Sequence, residues 1–202
     1  MGDFPVRLRP GNERDILACE FEIEHEDVLH LKNMYKRIYD WLVDEGYTAA
    51  DGPDQIYETL YWERTKPTGA QEHHIWWRAF LTPRDNRYYR YFLKIDYQTL
   101  NSKKMEVMRH GQKFGTNKVD LILRIQAWLQ LDYNDEWQKS FILSRFDKWF
   151  RTRFYLDNIY KYKKDLYKDT YRLHTMIKQY LKLTSIAADW GRPFHHPEKG
   201  VS

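Results

Sequence analysis

Residues 54–132 constrain the chain more than any other stretch. They hold most of the residues that favour extended backbone, and turn signals cut them into segments of strand length. Strands are expected over 56–64, 73–81, 88–100, 103–109 and 119–131. Lys66-Pro67-Thr68-Gly69, then Pro83 with Asp85-Asn86, then a loop over 111–117 separate them. Connections this short join antiparallel neighbours, since a parallel crossover takes about a dozen residues or more. Upstream, over 16–24, Cys19, Phe21 and Ile23 alternate with Glu20, Glu22 and Glu24, the two-residue period of a half-buried strand. The sum is one antiparallel sheet of about six strands.

Helical spacing flanks the sheet block on both sides. Asp27 can accept bonds from the first free N–H groups of a helix. Val28, Leu31, Tyr35, Ile38 and Leu42 then recur every three or four residues, and Gly46 supplies the left-handed stop. Downstream, Asn134 is placed to cap a second helix with Trp137, Phe141, Ile142, Phe146, Trp149 and Phe150 on its apolar side. Asp157 is placed to cap a third, where Ile159, Leu166, Leu173, Ile177 and Tyr180 keep helical spacing to about residue 183. The fold expected is α+β: an arm over 1–15, one domain over 16–183, and a flexible tail over 184–202. One N-terminal-side helix and two C-terminal helices pack on its sheet.

Several classes of chemistry lack their residues. Cys19 is the only cysteine, so no disulfide forms within the chain, and no histidine is placed to activate its thiol. Glycine-loop nucleotide motifs are missing, and no cofactor is expected. His73-His74 and His195-His196 lack metal-site spacing, and adjacent residues of a strand point to opposite faces. Without a signal-like apolar segment or a stretch that could span a membrane, the expectation is a cytoplasmic protein.

Charge is concentrated late in the chain. Over 139–182 twelve Lys or Arg stand against four Asp, while the whole chain carries only +4. There Lys161, Lys163, Lys164, Lys168 and Arg172 alternate with Tyr160, Tyr162, Tyr167 and Tyr171. Cations that neutralise phosphates, interleaved with rings that stack on bases, suit RNA or a ribonucleoprotein. In that reading the five cations touch phosphates, and Tyr162 and Tyr171 stack or pack beside them. The plain alternative is a solvated helix face whose tyrosines pack on the sheet. A protein partner fits the same aromatic-plus-arginine composition.

Three resemblances add further readings. Glu20-Phe21-Glu22-Ile23-Glu24 resembles the early Glu-x-Glu-x-Lys strand of the CYTH, or triphosphate tunnel, proteins, with Glu24 where their Lys stands. That resemblance implies a metal-dependent triphosphate hydrolase, with Glu20 and Glu22 as metal ligands and Arg64, Arg78, Arg90, Lys94 and Arg124 as inward cations. The order of strand, helix, antiparallel strands and long C-terminal helix is similar to that of START-like helix-grip proteins. It implies a carrier of a hydrophobic ligand, for which Trp62, Trp76, Trp77 and Trp128 are candidate cavity liners. The Tyr- and Trp-rich composition resembles conserved archaeal proteins of uncharacterised activity, which implies no mechanism. Likeness of fold does not assign function.

Overall fold

A computed structural model describes residues 8–9, 11–50, 56–109, 112–153 and 156–185. Six strands and four helices follow one another along the chain: β1 (Asp15–Leu29), α1 (Leu31–Asp44), β2 (Thr48–Ala49), β3 (Glu58–Thr65), β4 (Gln71–Leu81), β5 (Tyr89–Arg109), β6 (Gln112–Leu131), α2 (Glu136–Lys139), α3 (Phe141–Arg153) and α4 (Leu156–Ser185). The strands form a single antiparallel sheet in the order β1-β6-β5-β4, with β2 and β3 both paired to β4. The expected α+β architecture is the one observed.

Alternation decides which face is covered. Ile75, Trp77 and Ala79 of β4, Leu93, Ile95 and Tyr97 of β5, and Leu121, Leu123, Ile125, Ala127 and Leu129 of β6 all point the same way and are buried. Fully burying one such aliphatic side chain is worth roughly 1.5–3 kcal/mol, so this face commits the sheet to a cover. The cover is α1 and α4. Met34, Ile38 and Leu42 of α1 join Leu166, Leu173 and Ile177 of α4 in the same core, and Tyr35 meets Trp77 edge-on at 4.6 Å between ring centroids. The Tyr180 hydroxyl donates to the His30 carbonyl oxygen at 3.2 Å, tying α4 to the start of α1.

Four local expectations are corrected. The strand read over 16–24 runs to Leu29, because β6 pairs with it as far as Leu29 opposite Asn117. Ladder bonds therefore win over the helix start expected at Asp27, whose carboxylate accepts the Val28 N–H at 2.7 Å instead. Helix α1 begins after His30, whose Nδ1 accepts the Asn33 N–H at 3.3 Å. Its end is as expected, with Gly46 at φ 77°. The strands read over 88–100 and 103–109 are one strand, bent at an irregularity between Leu100 and Lys103 where Asn101 adopts φ 53°. Its partner β6 begins at Gln112, so most of the expected 111–117 loop is strand. The count of six is restored by β2, within a region read as turns.

The helix expected after Asn134 is two. Asp135, rather than Asn134, stands at the N-cap of the first without a side-chain cap bond, and Asp132 accepts the Trp137 N–H at 3.1 Å. Ser140 then takes extended backbone and separates α2 from α3. Of the 1–15 arm, Arg9 and Arg14 are tied down at the end of β6. Arg14 bonds Asp132 at 3.2 Å and Asp135 at 2.6 Å, and Arg9 donates to the Leu131 carbonyl at 2.9 Å. Helix α4 runs to Ser185, one turn's edge into the expected tail, and 186–202 lie outside the described residues.

Candidate polyanion-binding face

Helix α4 has two sides with different work. Ile159, Tyr162, Leu166, Thr170, Leu173 and Ile177 are buried. Thr170 is the one polar residue among them, and its hydroxyl donates to the Leu166 carbonyl at 2.8 Å. At the same helical spacing on the outer side lie Tyr160, Lys164, Tyr167, Tyr171, His174 and Lys178. This stripe runs beside β1, an edge strand of the sheet.

Aromatic contacts build the seam between stripe and strand. Tyr167 and Tyr171 lie nearly parallel, 11° apart with centroids at 6.1 Å, and Phe21 of β1 touches both. His174 stacks on Phe21 at 4.6 Å. Burial, followed by the charge of Lys178, holds the His174 imidazole below its ordinary pKa. Lys163, Lys164 and Lys178 flank these rings without an ion pair among the described residues. The acids Asp165 and Asp169 are turned toward the α1 side, where Asp169 and Glu45 both accept from Arg172 at 2.9 Å.

Not every residue named from the sequence reaches this face. Lys163, Lys164 and Tyr171 do; Lys161 and Lys168 lie at its margin, on the side of Asp165 and Arg172. Lys168 stands 3.7 Å from Asp165, and the Lys161 ammonium lies 5.5 Å from the centre of the Tyr162 ring. Tyr162 does not: it is 7% exposed, packs on Tyr89 at 4.2 Å, and donates its hydroxyl to Asp85 at 2.7 Å. Burial first, then that bond, pushes its phenol up to about 12. Arg172 is engaged by two carboxylates. Tyr167, named among the interleaved tyrosines but given no role of its own, belongs to the face, as do Phe21 and His174, which were not placed in it. The recurrence 160, 164, 167, 171, 174, 178 was the available signal for the helix; Phe21 had none, since only tertiary packing sets it there.

The other candidate sets separate. Trp62, Trp76 and Trp128 lie on the uncovered side of the sheet while Trp77 alone points into the core, so the four do not line one cavity. Glu20 and Glu22 also face the uncovered side. Glu22 accepts from the Arg124 guanidinium at 2.6 Å, which lowers its carboxyl pKa, and Glu20 accepts from Gln126 at 2.7 Å. Arg78 and Lys94 pair with Asp96 at 2.8 and 3.4 Å. Arg90 lies over Tyr133 at 4.4 Å and bonds Gln130. Arg124, Arg78 and Lys94 are thus paired with acids of the same sheet face, and Arg90 with rings and an amide. No group of three acids, histidines or cysteines that could hold a metal occurs among the described residues.

Cys19 is half-buried on β1, and burial raises its thiol pKa, the opposite of nucleophile activation. His73 Nδ1 lies 2.8 Å from the Thr99 hydroxyl, whereas His74 meets Trp62 across the sheet's other face. His195 and His196 lie outside the described residues. The sequence matches no protein-family model and no curated protein.

Proposed function

We propose that the protein is a non-enzymatic binding protein whose α4 face receives RNA, either free or within a ribonucleoprotein. The observation that carries this reading is the exposed, nearly parallel Tyr167–Tyr171 pair flanked by Lys163, Lys164 and Lys178 without ion-pair partners among the described residues. Rings of this kind accept the faces of unpaired bases regardless of sequence, and the lysines supply charge for the phosphates. Lys161 and Lys168 extend the positive side along the helix.

The test is binding of a single-stranded RNA oligonucleotide to the purified chain at two salt concentrations. Three phosphates neutralised on a single strand give a slope near −2, so a fourfold rise in salt lowers affinity by about twentyfold. Reversing Lys161, Lys163 and Lys164 to Glu abolishes binding, and Tyr167→Ala with Tyr171→Ala weakens it at every salt. Arg172→Ala changes it little. Binding that ignores salt, or none at low salt, ends this reading.

A START-like carrier is the second reading, favoured by one observation. The first strand pairs with the last and a long C-terminal helix lies on the sheet, as in the helix-grip order. Against it, Tyr57, Trp77, Tyr89 and Leu93 fill the region between helix and sheet.

A further inference from the structure

Helix α3 buries a charge and exposes aromatic rings. Its one acid, Asp147, is 4% exposed and accepts from Gln138 at 3.1 Å and from the Tyr88 hydroxyl at 3.4 Å. Away from it, Phe141 is 80% exposed, and Ile142, Phe146 and Trp149 are exposed as well. Phe146 and Trp149 touch edge-on at 6.5 Å, and the Arg145 guanidinium lies 5.7 Å from the centre of the Phe141 ring. Burying these four side chains would gain several kcal/mol in total, at roughly 1.5–3 kcal/mol each. Leaving so much of their surface in water is a standing cost.

The chemistry of this exposed side narrows its occupant. With Asp147 turned inward, the charged side chains described as exposed on this helix are cationic, Arg145 and Arg153. A symmetric dimer through this face would bring each copy's cations against the other's. Aromatic side chains beside arginines on a short helix match the interface of an anionic bilayer. Rings sit there at headgroup depth while guanidiniums reach the phosphates. Thirteen residues span only about 20 Å, too short to cross a hydrocarbon core. No described helix is long and apolar enough to cross a membrane. A helix that lies flat is the remaining membrane geometry.

We infer that α3 docks the protein onto anionic lipid surfaces, with Phe141, Ile142, Phe146 and Trp149 entering the headgroup layer and Arg145 binding lipid phosphate. The inference is independent of RNA binding on α4. The test is cosedimentation of the full chain with phosphatidylcholine vesicles, either pure or with about one third phosphatidylglycerol. The protein sediments with the anionic vesicles and much less with the neutral ones. Phe146→Ser with Trp149→Ser lowers partitioning by at least about tenfold, and Arg145→Glu by about tenfold. The reversal of Lys161, Lys163 and Lys164 leaves most of the binding in place. Three results overturn the inference: no sedimentation with either vesicle, binding lost with the α4 lysines but kept without Phe146 and Trp149, or a dimer that the aromatic substitutions dissolve while vesicles are ignored. Both serines stand on an exposed surface, so an unchanged unfolding midpoint shows that the variant is folded.

Discussion

Helices α3 and α4 are neighbours in sequence, both cationic and both amphipathic, yet they use their apolar sides in opposite ways. Helix α4 buries Leu166, Leu173 and Ile177 against β1 and β6 and offers tyrosine and lysine to solvent. Helix α3 buries an aspartate and offers Phe141, Phe146 and Trp149. Hydrophobic periodicity establishes that a helix has a face; it does not establish what the face meets. On α4 the inward polar residue, Thr170, satisfies itself on its own backbone and leaves the core undisturbed. On α3 the inward residue must be satisfied from outside the helix, and Gln138 and Tyr88 do so.

Stability measurements test this contrast directly, and the largest effect belongs to α4. Leu166→Ala removes a side chain with no exposed surface from the middle of the core. The cost expected is about 2–5 kcal/mol, read as a lower denaturant midpoint with an unchanged slope. A loss below about 1 kcal/mol would mean that α4 is only loosely seated and that the two helices differ less than their burial says.

The same contrast explains which parts of the molecule were legible in sequence. The sheet was, because a run of alternating residues such as Leu121 to Leu129 has no other compact use. The start of α1 was not. Asp27 and Val28 make a convincing local cap, and only the ladder to β6 keeps them extended. In α4, Tyr162 shares a helical phase with Ile159 and Leu166, so its burial was readable from position, whereas composition grouped it with the exposed tyrosines. The engagement of Arg172 by Glu45 was not readable, since it depends on α1 lying beside α4. The orientation of α3 turns on a single residue, Asp147, whose partners come from α2 and the start of the β5 region.

Asp147 therefore supplies the middle effect. Asp147→Ala removes the buried charged acceptor that Gln138 and the Tyr88 hydroxyl share, at an expected cost of about 1–3 kcal/mol. A variant as stable as the parent would show that the aspartate does not hold α3 in its orientation, and the contrast with α4 would lose its cause.

The smallest effect is the most informative. Phe146→Ser with Trp149→Ser removes two large aromatic side chains, a change that in a core costs about 3–5 kcal/mol for each ring. On α3 both rings face solvent, Trp149 with 53% of its surface exposed, so folding stability should move by no more than about 0.5 kcal/mol for each. Thermal or denaturant unfolding of the double variant beside Leu166→Ala measures this on one scale. If the double variant loses as much as Leu166→Ala does, α3 packs in solution as α4 does, and it offers no apolar surface to a lipid bilayer. If stability holds, a pair of aromatic rings that contributes nothing to folding has to be accounted for by what the protein binds.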